Sequence, residues 1–160
     1  MNELPLDHLA LRVHDRDAAA DFLKMFGYSK QAEFKLTLED GSTAQSYALT
    51  HPASVVDVFV SSGPLGSKID NWVKARGGKG AVHHLAYRTA DVVLAMKGLQ
   101  AKGVTFKSPQ PLVCSCERPL TQIFTEENPQ TGIIYELIDR NGHPGFCEEN
   151  VRRLMNSSPQ

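Results

Sequence analysis

Two histidines and one glutamate have the side chains and the positions that metal chemistry requires. His8 lies in the stretch 7–12, and His84 lies in a similar stretch, 83–88, in the second half of the chain. The shift that aligns these stretches also aligns the helix patterns that follow them and the glycines that end those helices. Such self-similarity over about half of the chain indicates a duplicated unit with one histidine at the same place in each copy. The glutamate, Glu136, lies near the end of the second copy.

Strand periodicity around His8, His84 and Glu136 predicts that all three share one concave face. Each alternates with apolar residues that would pack against a covering helix, so each points the other way. A lone histidine on a strand is more often a core residue than a ligand, but equivalent strands of a duplicated fold meet around its axis. Glu136 also needs a partner among its apolar neighbours, because an isolated buried carboxylate is very costly. The same alternation predicts that His83 faces the helix layer, away from this site.

This ligand set predicts a mononuclear metal site. Two imidazoles and one carboxylate leave open positions on a divalent ion, and the set suits non-haem Fe(II). The ligand set alone does not fix the identity of the ion. Co, Ni, Mn and Zn also accept these ligands, because affinity order and availability compete with geometry.

The elements that must position these residues read as strand, helix, strand, strand, strand in each half. In the first unit, residues 5–62, Asp15 has the position of a helix cap and Gly27 that of a helix stop. Asp40-Gly41 is a hairpin signal between two of the strands. The predicted strands of this unit lie at 6–13, 28–38, 43–50 and 55–61.

The second unit, residues 81–140, follows a linker at 63–80 that holds a short helix. A proline-bearing loop spans 108–119, and a C-terminal lid helix is predicted within 145–156. The predicted strands lie at 82–88, 104–107, 120–125 and 132–139, with a helix at 91–102. We therefore predict an α+β fold in a single domain, residues 1–160, whose two tandem βαβββ units form an open mixed-sheet barrel around the metal.

Composition argues against several classes of function. Lysine and arginine number 17 against 18 acids and form no basic stripe, so a nucleic-acid partner is not expected. No apolar run approaches the roughly 18 residues of a membrane span, and the start of the chain does not read as a signal peptide. The three cysteines lack the CxxC spacing of redox and zinc motifs, so we expect reduced thiols in a cytoplasmic protein.

Taken in order, these motifs resemble the vicinal-oxygen-chelate superfamily of glyoxalases, bleomycin resistance proteins and dioxygenases. The stretches 122–126, 135–140 and 145–150 are similar to the catalytic half of the 4-hydroxyphenylpyruvate dioxygenase family. The resemblance implies a non-haem Fe(II) dioxygenase-like enzyme acting on a small 2-oxo acid. It implies His8, His84 and Glu136 as metal ligands, Gln122 as a catalytic residue that hydrogen-bonds the substrate, Phe124 as a ring that stacks on it, and Phe146 and Asn150 in the closing helix.

The chain also departs from the dioxygenase pattern. Val151 stands where that family has a second stacking phenylalanine, the loop at 108–119 is shorter, and nothing here matches the family's N-terminal half. A metal-dependent isomerase or lyase, similar to methylmalonyl-CoA epimerase or glyoxalase I, is therefore the alternative. A metal-free binding or resistance protein is a third class, which three intact ligands argue against.

Asp57 bears on the choice between these classes. Strand alternation predicts that it faces the cavity together with Phe59 and Ser61, which we expect to line the substrate site. In an isomerase, Asp57 could act as a catalytic base or an extra ligand. It could equally lie at the strand edge in solvent. In each class the expected partner is a small-molecule substrate. Members of the superfamily often pair their units between two chains, so the resemblance also implies a homodimer as one assembly.

Overall fold

The computed structural model of the chain describes residues 3–157 and contains, within that range, eight strands and four helices. The strands are β1 (Leu6–Arg12), β2 (Ser29–Thr37), β3 (Thr43–His51), β4 (Ser54–Ser62), β5 (Ala81–Arg88), β6 (Leu112–Val113), β7 (Thr121–Phe124) and β8 (Ile134–Asp139). The helices are α1 (Arg16–Lys24), α2 (Lys68–Ala75), α3 (Val92–Gln100) and α4 (Glu148–Ser157). Across the described residues, none of these helices has the length and apolar character needed to cross a membrane.

All eight strands join one mixed sheet in the order β2-β3-β4-β1-β5-β8-β7-β6. At its centre β1 pairs with β5 in antiparallel orientation, and each of these pairs in parallel on its other side, β1 with β4 and β5 with β8. From the centre outwards, the two halves therefore repeat the same strand order. The predicted α+β class, the mixed sheet and the C-terminal helix are confirmed.

The first helix of each half, α1 and α3, begins at an equivalent cap and ends before an equivalent glycine. Asp15 accepts a hydrogen bond from the Ala18 amide at 3.0 Å, and Asp91 accepts one from the Leu94 amide at 2.9 Å. A cap of this kind satisfies one of the amides that a helix N-terminus leaves free. Gly27 follows α1 with a φ of 100°, a conformation that favours glycine. The cap and the stop predicted from the sequence are confirmed.

The helices cover the two faces of the sheet differently. On the outer face, α1 packs over the first half and α3 over the second, with Leu49, Val60 and Leu137 fully or nearly fully buried beneath them. On the inner face, which bears His8 and Ala10, α2 and α4 pack together over the first half. The inner contacts include Phe34, Phe59, Ile69, Val73, Val151 and Met155. The part of the inner face that bears Ala10 and Phe59 is thus covered by α2 and α4.

The chain between α3 and β7 differs from the prediction. The strand expected at 104–107 is reduced to an isolated bridge between Phe106 and Thr125, and β6 lies inside the stretch expected to be a loop. Both segments pair with the same edge of the sheet, but Pro109 and Pro111 lie between them. Proline lacks the amide hydrogen that strand pairing uses, so one strand is split into two short pieces.

Candidate metal centre

His8, His84 and Glu136 lie on three neighbouring strands at the centre of the sheet, β1, β5 and β8. Their ligand atoms all lie within 4.8 Å of one another. Glu136 Oε2 is 3.3 Å from His8 Nε2 and 3.2 Å from His84 Nε2, and the two imidazole centroids are 5.5 Å apart. The expected convergence on one face is confirmed, and the assignment of the three as metal ligands stays a prediction.

The carboxylate of Glu136 is the part of this cluster that most needs a cation. The residue is 1% exposed, and its Oε2 has no hydrogen-bond partner although the two imidazole nitrogens lie close to it. Burial raises the pKa of Glu136, but His8 and His84 outweigh that effect and lower it to about 2. A buried carboxylate oxygen that remains ionised and unsatisfied is costly, and a metal ion between the three ligands would satisfy it. The residues present therefore fit a divalent ion.

Asp7 holds the ring of His8 from the other side. Its Oδ1 lies 2.7 Å from His8 Nδ1, and its carboxylate also accepts hydrogen bonds from Arg88 and Arg140 at 2.7 to 2.9 Å. Burial raises the pKa of Asp7, but the hydrogen bonds from His8 and Arg140 outweigh it and bring the pKa far below its ordinary value. Ionised Asp7 accepts a hydrogen bond from the Nδ1–H of His8, so the Nε2 of His8 points to the cluster as a ligand requires.

His83 holds the ring of His84, although the alternation of the strand predicted otherwise. The Nδ1 atoms of the two rings are 2.9 Å apart, and the His83 ring also packs on Trp72 of α2, 5.4 Å between centroids. The expectation that His83 faces the opposite layer is therefore wrong. The register shifts between Ala10 and Leu11, so that β5 has one extra residue, and such a bulge breaks the alternation of side chains.

A second register shift explains how Asp7 was missed as well. It lies between Leu6 and His8 on β1, where the partner strand advances by one residue and β1 by two. Each bulge therefore places the residue before a histidine beside that histidine's ring. The signal in the sequence is only that both neighbours, Asp7 and His83, are polar.

A chain of amide hydrogen bonds connects α4 to Glu136. Asn150 donates to Gln122 Oε1 at 2.9 Å, and Gln122 donates to Glu136 Oε1 at 2.6 Å. Asn150 also donates to the Leu120 carbonyl at 3.0 Å, while its own Oδ1 is buried without a partner. Gln122 thus orients the carboxylate and is itself oriented by α4.

The segment that leads into α4 closes over His8. The ring of Phe146 packs against that of His8 with 4.8 Å between centroids. Arg140, which binds Asp7, also donates to the Gly145 carbonyl and lies 5.2 Å from the centre of the Phe146 ring. The start of α4 is therefore tied to the same aspartate that holds His8.

The other residues predicted for the substrate site lie on the inner face in three different surroundings. The ring of Phe124 lies 5.4 Å from that of His84, and Phe59 packs against Phe146 at 4.8 Å. Ser61, in contrast, is buried in a hydrogen bond of 2.7 Å with Ser46. Phe59 and Phe124 are near the cluster, and the hydroxyl of Ser61 already has a protein partner.

Asp57 lies next to His8 in the parallel register of β1 and β4 and is half-buried. Among residues 3–157, the cluster of ligand atoms within 4.8 Å of one another does not include it. Burial raises the pKa of Asp57, with Asp7 acting in the same direction and Arg140 against it. It is thus a neighbour of the cluster with a perturbed carboxyl group, and its catalytic role stays a prediction.

Comparison with known proteins places this geometry among related folds. A family model described as the Glyoxalase/Bleomycin resistance protein/Dioxygenase superfamily matches residues 7–112. A 4-hydroxyphenylpyruvate dioxygenase from Tetrahymena thermophila is 29% identical over an alignment that covers 56% of this chain and 30% of that protein.

Two solved structures extend the comparison. A mutant of 4-hydroxymandelate synthase from Streptomyces coelicolor has a TM-score of 0.85 at 22% identity, covering 96% of this chain and 52% of that one. Methylmalonyl-CoA epimerase from Mycobacterium tuberculosis has a TM-score of 0.66 at 20% identity, covering 84% and 86%. The chain spans about half of the synthase and less than a third of the dioxygenase. At these identities the structural likeness shows the fold.

Proposed function

We propose, from the premise that the chain belongs to the glyoxalase/bleomycin resistance protein/dioxygenase superfamily, that it is a divalent-metal-dependent enzyme. Its ion would be held by His8, His84 and Glu136. The observation that carries this proposal is the convergence of three buried ligand atoms, with Glu136 Oε2 lying 3.3 Å from His8 Nε2 and 3.2 Å from His84 Nε2. Two imidazoles and one carboxylate favour Fe(II), and we propose a dioxygenase-like reaction on a small 2-oxo acid.

The ligands would be prepared for the ion by the residues behind them. Bound Fe(II) would supply Lewis acidity and redox chemistry toward a substrate with two neighbouring oxygens. Asp7 keeps the Nδ1 proton of His8 in place, and Gln122 keeps one oxygen of Glu136 occupied so that the other faces the cluster. Such hydrogen-bond partners orient metal ligands and raise their basicity.

The substrate would lie between the cluster and α4. The rings of Phe124 and Phe146 flank the two histidines and would form apolar walls for the carbon skeleton. Val151 and Met155 pack on the inner face, and the amide of Gln122 is already bonded to Asn150. Entry of a substrate would therefore require α4 to move, after which Gln122 and Asn150 could bind it. We propose α4 as the lid that excludes water.

A metal-dependent isomerase is the second candidate, and Asp57 is the observation that favours it. A half-buried carboxyl group whose pKa is raised by burial is suited to act as a general base. The fold likeness to methylmalonyl-CoA epimerase also spans most of both chains. In this reaction the ion would stabilise an enolate, and Asp57 would move the proton.

Metal content and turnover distinguish the two candidates. We expect protein purified without a tag to contain iron, and the ferrous protein to consume oxygen with aryl 2-oxo acids. Glu136→Ala should abolish metal retention and turnover, whereas Glu39→Ala, which removes an exposed glutamate, should change neither. Turnover of an acyl-CoA or a glutathione hemithioacetal without oxygen uptake would favour the isomerase. Activity that survives Glu136→Ala would contradict both.

A further inference from the structure

Three cysteines from two separate segments of the chain converge at a second place on the inner face. Cys114 and Cys116 come from the connection between β6 and β7, and Cys147 comes directly before α4. All three are free thiols, and their sulfur atoms lie within 4.8 Å of one another. The sulfurs of Cys116 and Cys147 are 3.1 Å apart. Three thiols brought together from two separate segments form a potential ligand set of their own.

The thiols lie in largely apolar surroundings, and one backbone amide is aimed at a sulfur. Cys114 is 3% exposed and Cys147 is 6% exposed, and both pack with Ala86, Leu120 and Ile138. The Leu120 amide donates a hydrogen bond to the sulfur of Cys114 at 3.2 Å. A backbone amide aimed at sulfur stabilises the thiolate, which is the form that binds metals. Thiolates in apolar surroundings are costly without a counter-charge, so a bound cation would stabilise the cluster.

We propose that Cys114, Cys116 and Cys147 form a three-sulfur site for a soft metal ion, with Cu(I) as the matching ion. Thiolate ligands select soft ions such as Cu(I) and zinc. Structural zinc sites use four protein ligands, and within the described residues this cluster offers three. Each thiol that binds releases its proton to solvent, and copper stays in the Cu(I) state, so no oxidant or reductant is consumed.

The site would join the lid to the sheet edge. Ser115, between two of the cysteines, already donates from its amide and its hydroxyl to Glu149 of α4, at 3.0 and 2.7 Å. A metal held by Cys116 and Cys147 would tighten this same connection at the start of α4. The three thiols would bind a soft ion whatever the function of His8, His84 and Glu136.

Competition with a coloured Cu(I) chelator tests the site. Reduced, metal-free protein titrated without oxygen should withdraw one equivalent of Cu(I) and develop sulfur-to-copper charge-transfer absorption. Cys116→Ser and Cys147→Ser should each weaken binding by more than the roughly 100-fold that loss of a ligand's hydrogen-bond partner can cost. Ser115→Ala and His84→Ala are the matched controls and should retain both copper and the absorption band, because neither removes a sulfur.

A measurement on the unmodified chain covers the case in which a cysteine variant fails to fold. Bound Cu(I) should protect all three thiols from alkylation, and removal of the ion should restore their reaction. The proposal is overturned if copper is not withdrawn from the chelator, if it is lost with His84→Ala, or if the thiols react equally with and without it. Tighter retention of zinc than of Cu(I) would overturn the choice of copper. Formation of a Cys116–Cys147 disulfide by protein that takes up no metal when reduced would replace the site with a redox pair.

Discussion

The two candidate histidine ligands have equivalent places in the two halves of the sheet, but different residues hold them. Asp7 precedes His8 and accepts a hydrogen bond from its ring, whereas His83 precedes His84 and pairs with it through a second imidazole. Burial lowers the pKa of both ligands. For His8, Glu136 and Asp7 outweigh burial and raise the pKa to about 9, whereas for His84 burial prevails over Glu136 and the pKa stays lowered.

This difference shows that the duplicated fold and the local sequence control separate properties. The fold fixes where each ligand lies, since β1 and β5 are paired at the centre of the sheet and each has a bulge beside its histidine. The proton on His8 is then stabilised by Glu136 and by Asp7 at the bulge, whereas burial keeps His84 neutral. Without a metal, His8 is protonated between two carboxylates while His84 is neutral. A bound ion would have to displace the proton of His8.

The neutral rings of His83 and His84, in the second half, also have one tautomer each that suits metal binding by His84. One of the two Nδ1 atoms must donate and the other accept, because both pKa values are lowered. If His84 binds an ion through Nε2, its proton lies on Nδ1, and that Nδ1–H donates a hydrogen bond to the Nδ1 of His83. His83 then carries its own proton on Nε2. Asp7 and His83 would thus both accept a hydrogen bond from the Nδ1–H of a ligand histidine. Asp7 does so with a negative charge, and His83 does so without one.

The largest expected effect comes from removing the charged acceptor. In Asp7→Ala, Arg140 loses its buried partner, and breaking a buried ion pair costs about 3–5 kcal/mol of unfolding free energy. Metal affinity should also fall by about 10- to 100-fold, because His8 loses the group that orients it. Chemical denaturation and metal titration measure the two losses. Asp17→Ala, which removes an exposed carboxylate bonded to Tyr47, is the control and should leave metal affinity unchanged.

The next expected effect is a pH dependence that His8 produces and His84 does not. Below pH about 9, metal binding must release the proton of His8, so affinity should rise about tenfold per pH unit and level off above that value. Calorimetry in buffers of different ionisation heat counts the released proton. In Asp7→Asn the plateau should begin at lower pH, because one cause of the raised pKa is removed. Binding at pH 7 without proton release would contradict the assigned charge of His8.

The same protonation affects the stability of the metal-free protein. His8 binds its proton more tightly in the folded chain, with a pKa of about 9, than in the unfolded chain, where it is about 6.5. Its contribution to stability is therefore complete below pH about 6.5 and is lost as pH rises through about 9. Denaturation curves of the metal-free protein across this range provide the check.

A smaller effect is expected where α4 contacts the cluster. Asn150→Ala removes the donor to Gln122 and Leu120, so their buried oxygens lose a partner, and we expect a loss of about 1–3 kcal/mol in unfolding free energy. Amide hydrogen exchange in α4 should become faster while exchange in β1 and β5 stays slow. Equal acceleration in all three elements would mean that Asn150 stabilises the whole fold and not the closure of α4.

The sequence predicts where the three candidate ligands lie but not which residues hold them, for physical reasons. Alternation along a strand places His8, His84 and Glu136 on one face because it is a local property of the backbone. The bulges at Asp7 and His83 depend on how two strands far apart in sequence align, and no local pattern records that register. The same holds for Cys147, which α4 brings to Cys114 and Cys116 only when the fold forms. The strand predicted at 104–107 was wrong as well, because Pro109 and Pro111 leave only a bridge at Phe106 and the short strand β6.

The smallest expected effect comes from replacing the neutral acceptor with another neutral acceptor. In His83→Gln the side-chain oxygen can accept the proton of His84 Nδ1, so metal affinity should change by less than about tenfold. In His83→Leu no acceptor remains, and affinity should fall by about 10- to 100-fold, as for Asp7→Ala. Metal titration of the two variants, beside the wild type at one pH, separates hydrogen bonding from packing. Equal losses in both variants would show that the contact of His83 with Trp72, and not its bond to His84, supports the second ligand.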